Sequence, residues 1–261
     1  MRLQILGSGS RGNSALLWAD ETVILIDAGL PIRTLTERIG GTGIGFKAID
    51  HVLVSHGHLD HSRSAGILAK RHGATLHCAA QIMEHPSVKR APDKRDLPIN
   101  GRTTLEPRRG SAPVELQTVK IPHDCEPTVG FRLEHKGRTL SFLSDMGEPR
   151  EDAGRVLGNP QLLVLESNYD EEMLREGPYP EALRRRVRGA GGHLSNEQTA
   201  VMLTRLAGPE LHTVVLAHLS AKNNLPALAL KAAQDALLSM GRFDVNVLAA
   251  SQDDPLEPIQ V

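Results

Sequence analysis

Residues His56-Gly57-His58-Leu59-Asp60-His61 set three imidazoles and a carboxylate within six positions. Neither a core nor a solvated surface has a use for histidine at this density, whereas chelation does. Mixed nitrogen and oxygen donors suit zinc, manganese or iron, and an ion with an open position turns water into a nucleophile near neutral pH. The alternative is a solvated loop of uninvolved histidines, and the flanking sequence argues against it. Residues 50–55 carry the short apolar run of a buried strand, and residues 62–71 read as a helix opening. The cluster therefore belongs on a strand-to-helix turn, held by a rigid sheet yet open to solvent.

The chain has 261 residues, enough for a sizeable core, and no low-complexity linker divides it. We read residues 1–261 as one domain with two pseudo-equivalent halves meeting near Gly130. A formal net charge of −1 excludes a global basic field for tight non-specific DNA binding but leaves room for a local basic patch. Scarce aromatics disfavour a nucleic-acid reader built mainly on stacking. Cys78 and Cys125 form no Cys-x-x-Cys, so they read as buried free thiols; Cys125, two residues after His123, could lie beside the cluster. The amino terminus reaches a Gly/Ser loop too early for a signal peptide, and no apolar stretch has membrane length, so the expectation is a cytoplasmic protein.

Apolar runs predict strands at 3–6, 15–18, 23–26, 52–54, 75–78, 114–121, 129–133, 139–143, 162–165, 213–217 and 245–248. Helical periodicity follows the histidine cluster and recurs at 180–188, 196–206 and 226–240. Ser195 with Gln198 makes a capping box, and Pro226 suits a first helical turn. Strands followed by helices predict packed sheets with helices outside, and residues 91–98 read as a long surface loop. Residues 7–14, Gly-Ser-Gly-Ser-Arg-Gly-Asn-Ser, invite a phosphate-loop reading, but a strand pattern follows where a helix is needed. A hairpin loop near the active site is the better expectation.

Further ligand types stand at strand ends: Asp27 after 23–26, His123 after 114–121, Asp145 after 139–143, and His218 after 213–217. Each alone has a plain alternative, a turn residue for the aspartates or a hydrogen-bonded core histidine. Repeated beside the cluster, they fit a site at one edge of stacked sheets.

With these residues the chain resembles the metallo-β-lactamase-fold hydrolases over nearly its whole length. The resemblance implies an α/β fold, an αββα four-layer sandwich of two stacked mixed β-sheets flanked by helices, with two divalent ions at the sheet edge. By the family pattern His56, His58 and His123 hold one ion, Asp60, His61 and His218 the other, and Asp145 bridges them. Asp27 would orient a ligand from behind. Glu166-Ser167-Asn168-Tyr169-Asp170, then Gly192-His193-Leu194-Ser195-Asn196-Glu197-Gln198, then His218-Leu219-Ser220 follow an order similar to ribonuclease Z, which implies that Glu166 and His193 assist proton transfer to the leaving group. No long Gly/Pro-rich insertion supplies that enzyme's tRNA-gripping arm. The loop at 7–14, Gly177-Pro178-Tyr179-Pro180 and Asn223-Asn224 also resemble the YycJ/WalJ group, whose members are regarded as 5′-to-3′ DNA exonucleases.

The expectation is therefore a dinuclear hydrolase using zinc or manganese, with iron also suited, acting on phosphodiesters of nucleic acid, DNA before RNA. Asp60 could accept the proton of the attacking water and His193 could protonate the leaving oxygen. Arg184, Arg185, Arg186 and Arg188, with Lys89, Arg90, Lys94 and Arg95, are the basic residues that could track a backbone. A small-molecule hydrolase, such as a thioesterase or cyclic phosphodiesterase, is the rival on the same metals, favoured by the near-zero charge. A non-catalytic metal-binding signalling module is the third reading, and such a module has no need of an acid like His193. No residue pattern fixes the oligomeric state.

Overall fold

The computed structural model describes residues 1–44, 48–107, 110 and 112–261. Its first half runs β1 (Arg2–Gly7), β2 (Ser14–Ala19), β3 (Thr22–Ile26), α1 (Ile32–Gly41), β4 (His51–Leu53), α2 (Leu59–Ser62), α3 (Ala65–His72), β5 (Thr75–Cys78) and β6 (Asp93–Asp96). The second runs β7 (Arg102–Leu105), β8 (Val114–Ile121), β9 (Thr128–His135), β10 (Arg138–Leu143), α4 (Glu151–Leu157), β11 (Leu162–Glu166), α5 (Glu171–Glu176), α6 (Glu181–Arg188) and α7 (Asn196–Leu206). It ends with β12 (Thr213–Ala217), α8 (Pro226–Ser239), β13 (Asn246–Ala249) and β14 (Ile259–Gln260).

Among the described residues these strands form two seven-stranded mixed sheets, ordered β14-β1-β2-β3-β4-β5-β6 and β13-β12-β11-β10-β9-β8-β7. Side chains alternate across each strand, so a strand covered on both faces must be apolar throughout. In β3, Ile24 and Ile26 enter the layer between the sheets with Phe131, Phe142 and Val164. Val23 and Leu25 instead face Leu35 and Ile39 of α1 and Leu68 of α3. In β11, Leu163 and Leu165 pack outward with Leu203 and Leu206 of α7 and Ala233 and Leu237 of α8. Helix, sheet, sheet and helix are the four expected layers. No helix among the described residues is long and apolar enough to cross a membrane.

Each half has an antiparallel meander that passes into parallel strands through β3 or β10. The halves meet between β6 and β7; Gly130, the expected junction, lies inside β9. Residues 91–98 also differ from expectation, because Asp93–Asp96 pairs in parallel with β5 as an edge strand. Its four charged residues suit an edge, where unpaired backbone must not invite another chain.

This topology delivers the site. β3 and β4 run parallel, as do β10, β11 and β12, and β8 runs in the sense of β10 because β9 opposes both. Side chains at the carboxyl ends of these strands therefore converge on one edge.

Candidate metal centre

Three of the converging residues leave their strands in the left-handed region: Asp27 (φ 56°), Asp145 (φ 59°) and His218 (φ 56°). Non-glycine residues take that conformation at a cost, and its recurrence at strand ends marks a site whose geometry overrides local preference. His56 and His58 occupy the turn after β4, while Asp60 and His61 lie in the short helix α2 that precedes α3. That turn is braced from beneath. Gly29 passes so close to the Asp60 carbonyl that a Cβ there would collide with it.

The sequence-predicted ligands come together in overlapping groups. Donor atoms of His56, His58 and His123 lie within 4.8 Å of one another, as do those of Asp60, His61 and His218, and those of His56, His61 and Asp145. Asp145 sits between the two triads, with Oδ2 at 2.9 Å from His61 Nε2, and Oδ1 at 3.9 Å from His123 Nε2 and 3.2 Å from His218 Nδ1.

The ring nitrogens are also sorted. His61 Nδ1 lies 2.7 Å from Asp27 Oδ2, and His218 Nδ1 lies 2.9 Å from Glu166 Oε1, so each ring donates backward and keeps Nε2 for the centre. Among the described residues His56 Nε2 and His218 Nε2 are buried without a hydrogen-bond partner; the nearest carboxylate to the latter, Asp60, is 3.7 Å away. Buried lone pairs of this kind are costly unless a cation takes them. Asp27, Asp60, Asp145 and Glu166 supply the negative charge that two divalent ions would need, so the donor set fits a dinuclear centre.

Charge coupling is strong. Burial, reinforced by His61, holds the His56 imidazole well below its ordinary range. Burial opposes a charged His218, but Asp145, Asp60 and Glu166 outweigh it and push the group up to about 10. Burial likewise opposes an ionised Asp145, and His218 and His61 overcome it, keeping that carboxyl well below the usual range. Such shared protons are what incoming cations displace.

Glu166, fully buried at the end of β11, receives His193 at 2.8 Å through Nδ1 and accepts from the backbone of Met146 and Leu194. His193 hangs from the loop before α7, whose capping box of Ser195 and Gln198 is present as expected. Its ring lines a cleft of about 400 Å³ together with His58, Asp60, His123, Asp145 and His218. The expected pairing of Glu166 with His193 is thus made, but Glu166 also serves His218.

Several partners escaped the sequence reading. Ser55 donates its backbone N–H and hydroxyl to Asp27 at 2.8 and 2.9 Å. The loop at 7–14 joins β1 to β2 beside the site: Asn13 Nδ2 is 2.9 Å from His61 Nε2, and Ser8 Oγ accepts the His218 N–H at 2.8 Å. Asp124 stands 3.4 Å from His58 Nε2 and 2.6 Å from Arg186 Nε. An aspartate directly after His123 was visible, but its reach to another strand's histidine is a tertiary fact. Cys78 is buried as expected, whereas Cys125 is half-exposed, with Sγ against Gly57 of the histidine turn.

The basic patch is smaller than expected. Arg184 and Arg185 pair with Glu181, Arg188 with Glu171, Lys94 with Glu84 and Arg95 with Asp93. Among the described residues lining the cleft, Arg186 is the one arginine or lysine.

Comparison with known proteins agrees with this geometry. Residues 22–219 match the model of the β-lactamase superfamily domain. The chain is 26% identical over 264 residues to exodeoxyribonuclease YycJ of Bacillus anthracis, covering 100% of this chain and 98% of the relative. It is 27% identical over 228 residues to exodeoxyribonuclease WalJ of Streptococcus pneumoniae, covering 87% and 85%. Among solved structures, the metallo-β-lactamase-fold protein YhfI from Bacillus subtilis superposes with a TM-score of 0.73 at 17% identity, over 98% of each chain. Matching in its motifs, its two-sheet architecture and its full-length relatives, the chain belongs to the β-lactamase superfamily, as a hydrolase of metallo-β-lactamase fold.

Proposed function

We propose that the protein is a dinuclear-metal phosphodiesterase that acts as a 5′-to-3′ DNA exonuclease. The observation that carries this reading is the Glu166–His193 contact of 2.8 Å at the wall of the cleft. When water attacks a nucleic-acid phosphodiester, the P–O bond that breaks releases a sugar alkoxide, a poor leaving group that needs a proton, and a histidine held by a buried carboxylate beside the reacting centre could give one. The exodeoxyribonuclease names of the two curated relatives support DNA as the polymer.

In this reading His56, His58 and His123 would hold one ion and Asp60, His61 and His218 the second, with Asp145 available to both; zinc or manganese suits the donors. When bound, the ions would lower the pKa of the attacking water and neutralise charge on the phosphoryl oxygens. Asp60, part-exposed at the cleft, would accept the proton of that water. His193 Nδ1–H donates to Glu166, which leaves Nε2 to carry the proton delivered to the leaving oxygen. Asp27 supports the ring of His61 from behind, and Asp124, on the cleft wall, lies 3.4 Å from both His58 Nε2 and His123 Nε2.

A second reading, a small-molecule hydrolase on the same centre, is favoured by the cleft's modest size and its single arginine, already paired with Asp124. The test is hydrolysis of end-labelled DNA, a generic phosphodiester and a thioester, each with and without chelator. Chelator-sensitive release of nucleotides from the 5′ end supports the nuclease; a preference for the thioester overturns it.

A further inference from the structure

The Gly/Ser loop at 7–14 touches one triad of candidate ligands and not the other. Ser8 Oγ accepts the N–H of His218 at 2.8 Å, at a residue whose backbone lies in the left-handed region. Asn13 N–H donates to the Asp60 carbonyl at 2.7 Å. Its side-chain Nδ2 lies 3.4 Å from the same carbonyl and 2.9 Å from His61 Nε2. Asp60, His61 and His218 therefore each meet the loop. Among the described residues no hydrogen bond runs from it to His56, His58 or His123.

The two contact residues act as one unit. Asn13 Oδ1 accepts the Ser8 hydroxyl at 3.2 Å and the Gly9 N–H at 2.8 Å, and both side chains are buried. A satisfied buried network of this kind is stiff. Gly12, at φ 145°, lies so close to the Gly29 carbonyl that a Cβ would collide with it. The loop thus joins residues from both sheets, since Asp60 and His61 follow β4 and His218 follows β12. The other triad also draws on both sheets, but it has its own tie, from Val129 N–H in β9 to the Ser55 carbonyl at 3.1 Å.

Residues 251–253, just beyond β13, grip the loop from outside. Gln252 Oε1 accepts the Arg11 N–H at 2.8 Å, Gln252 Nε2 donates to the Gly12 carbonyl at 2.9 Å, and the Ser251 carbonyl accepts the Ser8 N–H at 3.0 Å. Arg38 Nη1 fastens this strap by donating to the carbonyls of Leu6 and Gln252 at 2.6 and 3.1 Å. Gln252 itself makes no hydrogen bond to a candidate ligand among the described residues. Resting on the dinuclear reading above, we propose that Ser8 and Asn13 are positioning residues for the ion of Asp60, His61 and His218, and that Gln252, acting through the loop, sets how firmly that ion alone is kept.

The test reads zinc binding and not turnover: the full chain competes with a chelating fluorophore, and protein-bound zinc is counted after dialysis. The wild type should show two sites. Ser8→Ala should weaken one of them about 10–100-fold and leave the other within about twofold. Gln252→Ala, at a part-exposed position outside the centre, should weaken the same site about fivefold, the loss of about one hydrogen bond, and it decides the matter should Ser8→Ala fail to fold. His58→Ala keeps the triad in question, so adding Ser8→Ala there should repeat the loss; in His61→Ala, which keeps the other triad, it should not. A general loss of structure would lower both sites together. Equal weakening of both sites, or none in either variant, overturns this inference alone. A wild type that takes up a single zinc overturns the dinuclear reading itself.

Discussion

Glu166 Oε1 lies 2.8 Å from His193 Nδ1 and 2.9 Å from His218 Nδ1, so one buried carboxylate joins the proposed general acid to a candidate metal ligand. The two substitutions should therefore differ. His193→Ala should keep both metals and lose roughly 10²–10⁴-fold in rate on a diester with a poor leaving group. The loss should shrink on a p-nitrophenyl ester, whose oxygen needs little help. Glu166→Gln should show the same leaving-group dependence and, in addition, weaker metal retention through His218. Equal losses of His193→Ala on both substrates would point to positioning, and loss of metal would make His193 a ligand.

Two ions per chain are expected on elemental analysis, because the ligands divide into two triads around Asp145. Chelation should abolish hydrolysis and zinc or manganese should restore it. Asp60→Ala and His61→Ala should each abolish turnover while the circular dichroism stays native, since the three main apolar clusters contain none of the ligands. Normal turnover by either variant under limiting metal would sink the assigned chemistry.

Asp27 offers a cleaner probe of support from behind the centre. Its carboxylate takes Ser55 N–H at 2.8 Å, the Ser55 hydroxyl at 2.9 Å and His61 Nδ1 at 2.7 Å. Asparagine tolerates the left-handed backbone there and matches the volume, so Asp27→Asn removes charge with little strain. Metal affinity should fall about 10–100-fold in a competition titration. An unchanged affinity would mean that His61 needs no such partner.

The parts legible in the sequence were those whose residue types carry the signal locally. Val114–Ile121, Asn196–Leu206 and Thr213–Ala217 lie where their apolar patterns placed them, because strands between two covered faces and a capped helix announce themselves. The ligand types at strand ends were equally visible. Asp93–Asp96 was not, since a charged edge strand looks like a loop until β5 pairs with it. Helix α1 was missed too: Ile32, Thr34, Thr36 and two closing glycines make a poor helical signal, and packing of Leu35 and Ile39 on the sheet supplies what propensity lacks. The contacts of Asn13 with His61, of Ser55 with Asp27 and of Asp124 with His58 join residues distant in the chain, so no spacing rule could nominate them.

Away from the centre, His77 on β5 should make stability depend on pH. Its Nε2 lies 3.1 Å from His51 Nδ1, and His51 Nε2 lies 3.0 Å from the Glu106 carbonyl, so both rings fit as neutral donors in one chain. Burial first, then His51 and Arg95, push His77 down to about 3 from an ordinary 6.5; Asp93 opposes them only in part. The unfolded chain takes a proton below 6.5 and the folded chain resists until about 3. The contribution is thus complete above 6.5 and drains as pH falls toward 3, at up to about 1.4 kcal/mol per pH unit. His77→Gln, whose amide can still donate to His51, removes the titration. Urea unfolding between pH 6 and 4 should therefore give the variant a slope shallower by about 1 kcal/mol per unit. Identical slopes for the two proteins would show that His77 takes up its proton without unfolding the sheet edge.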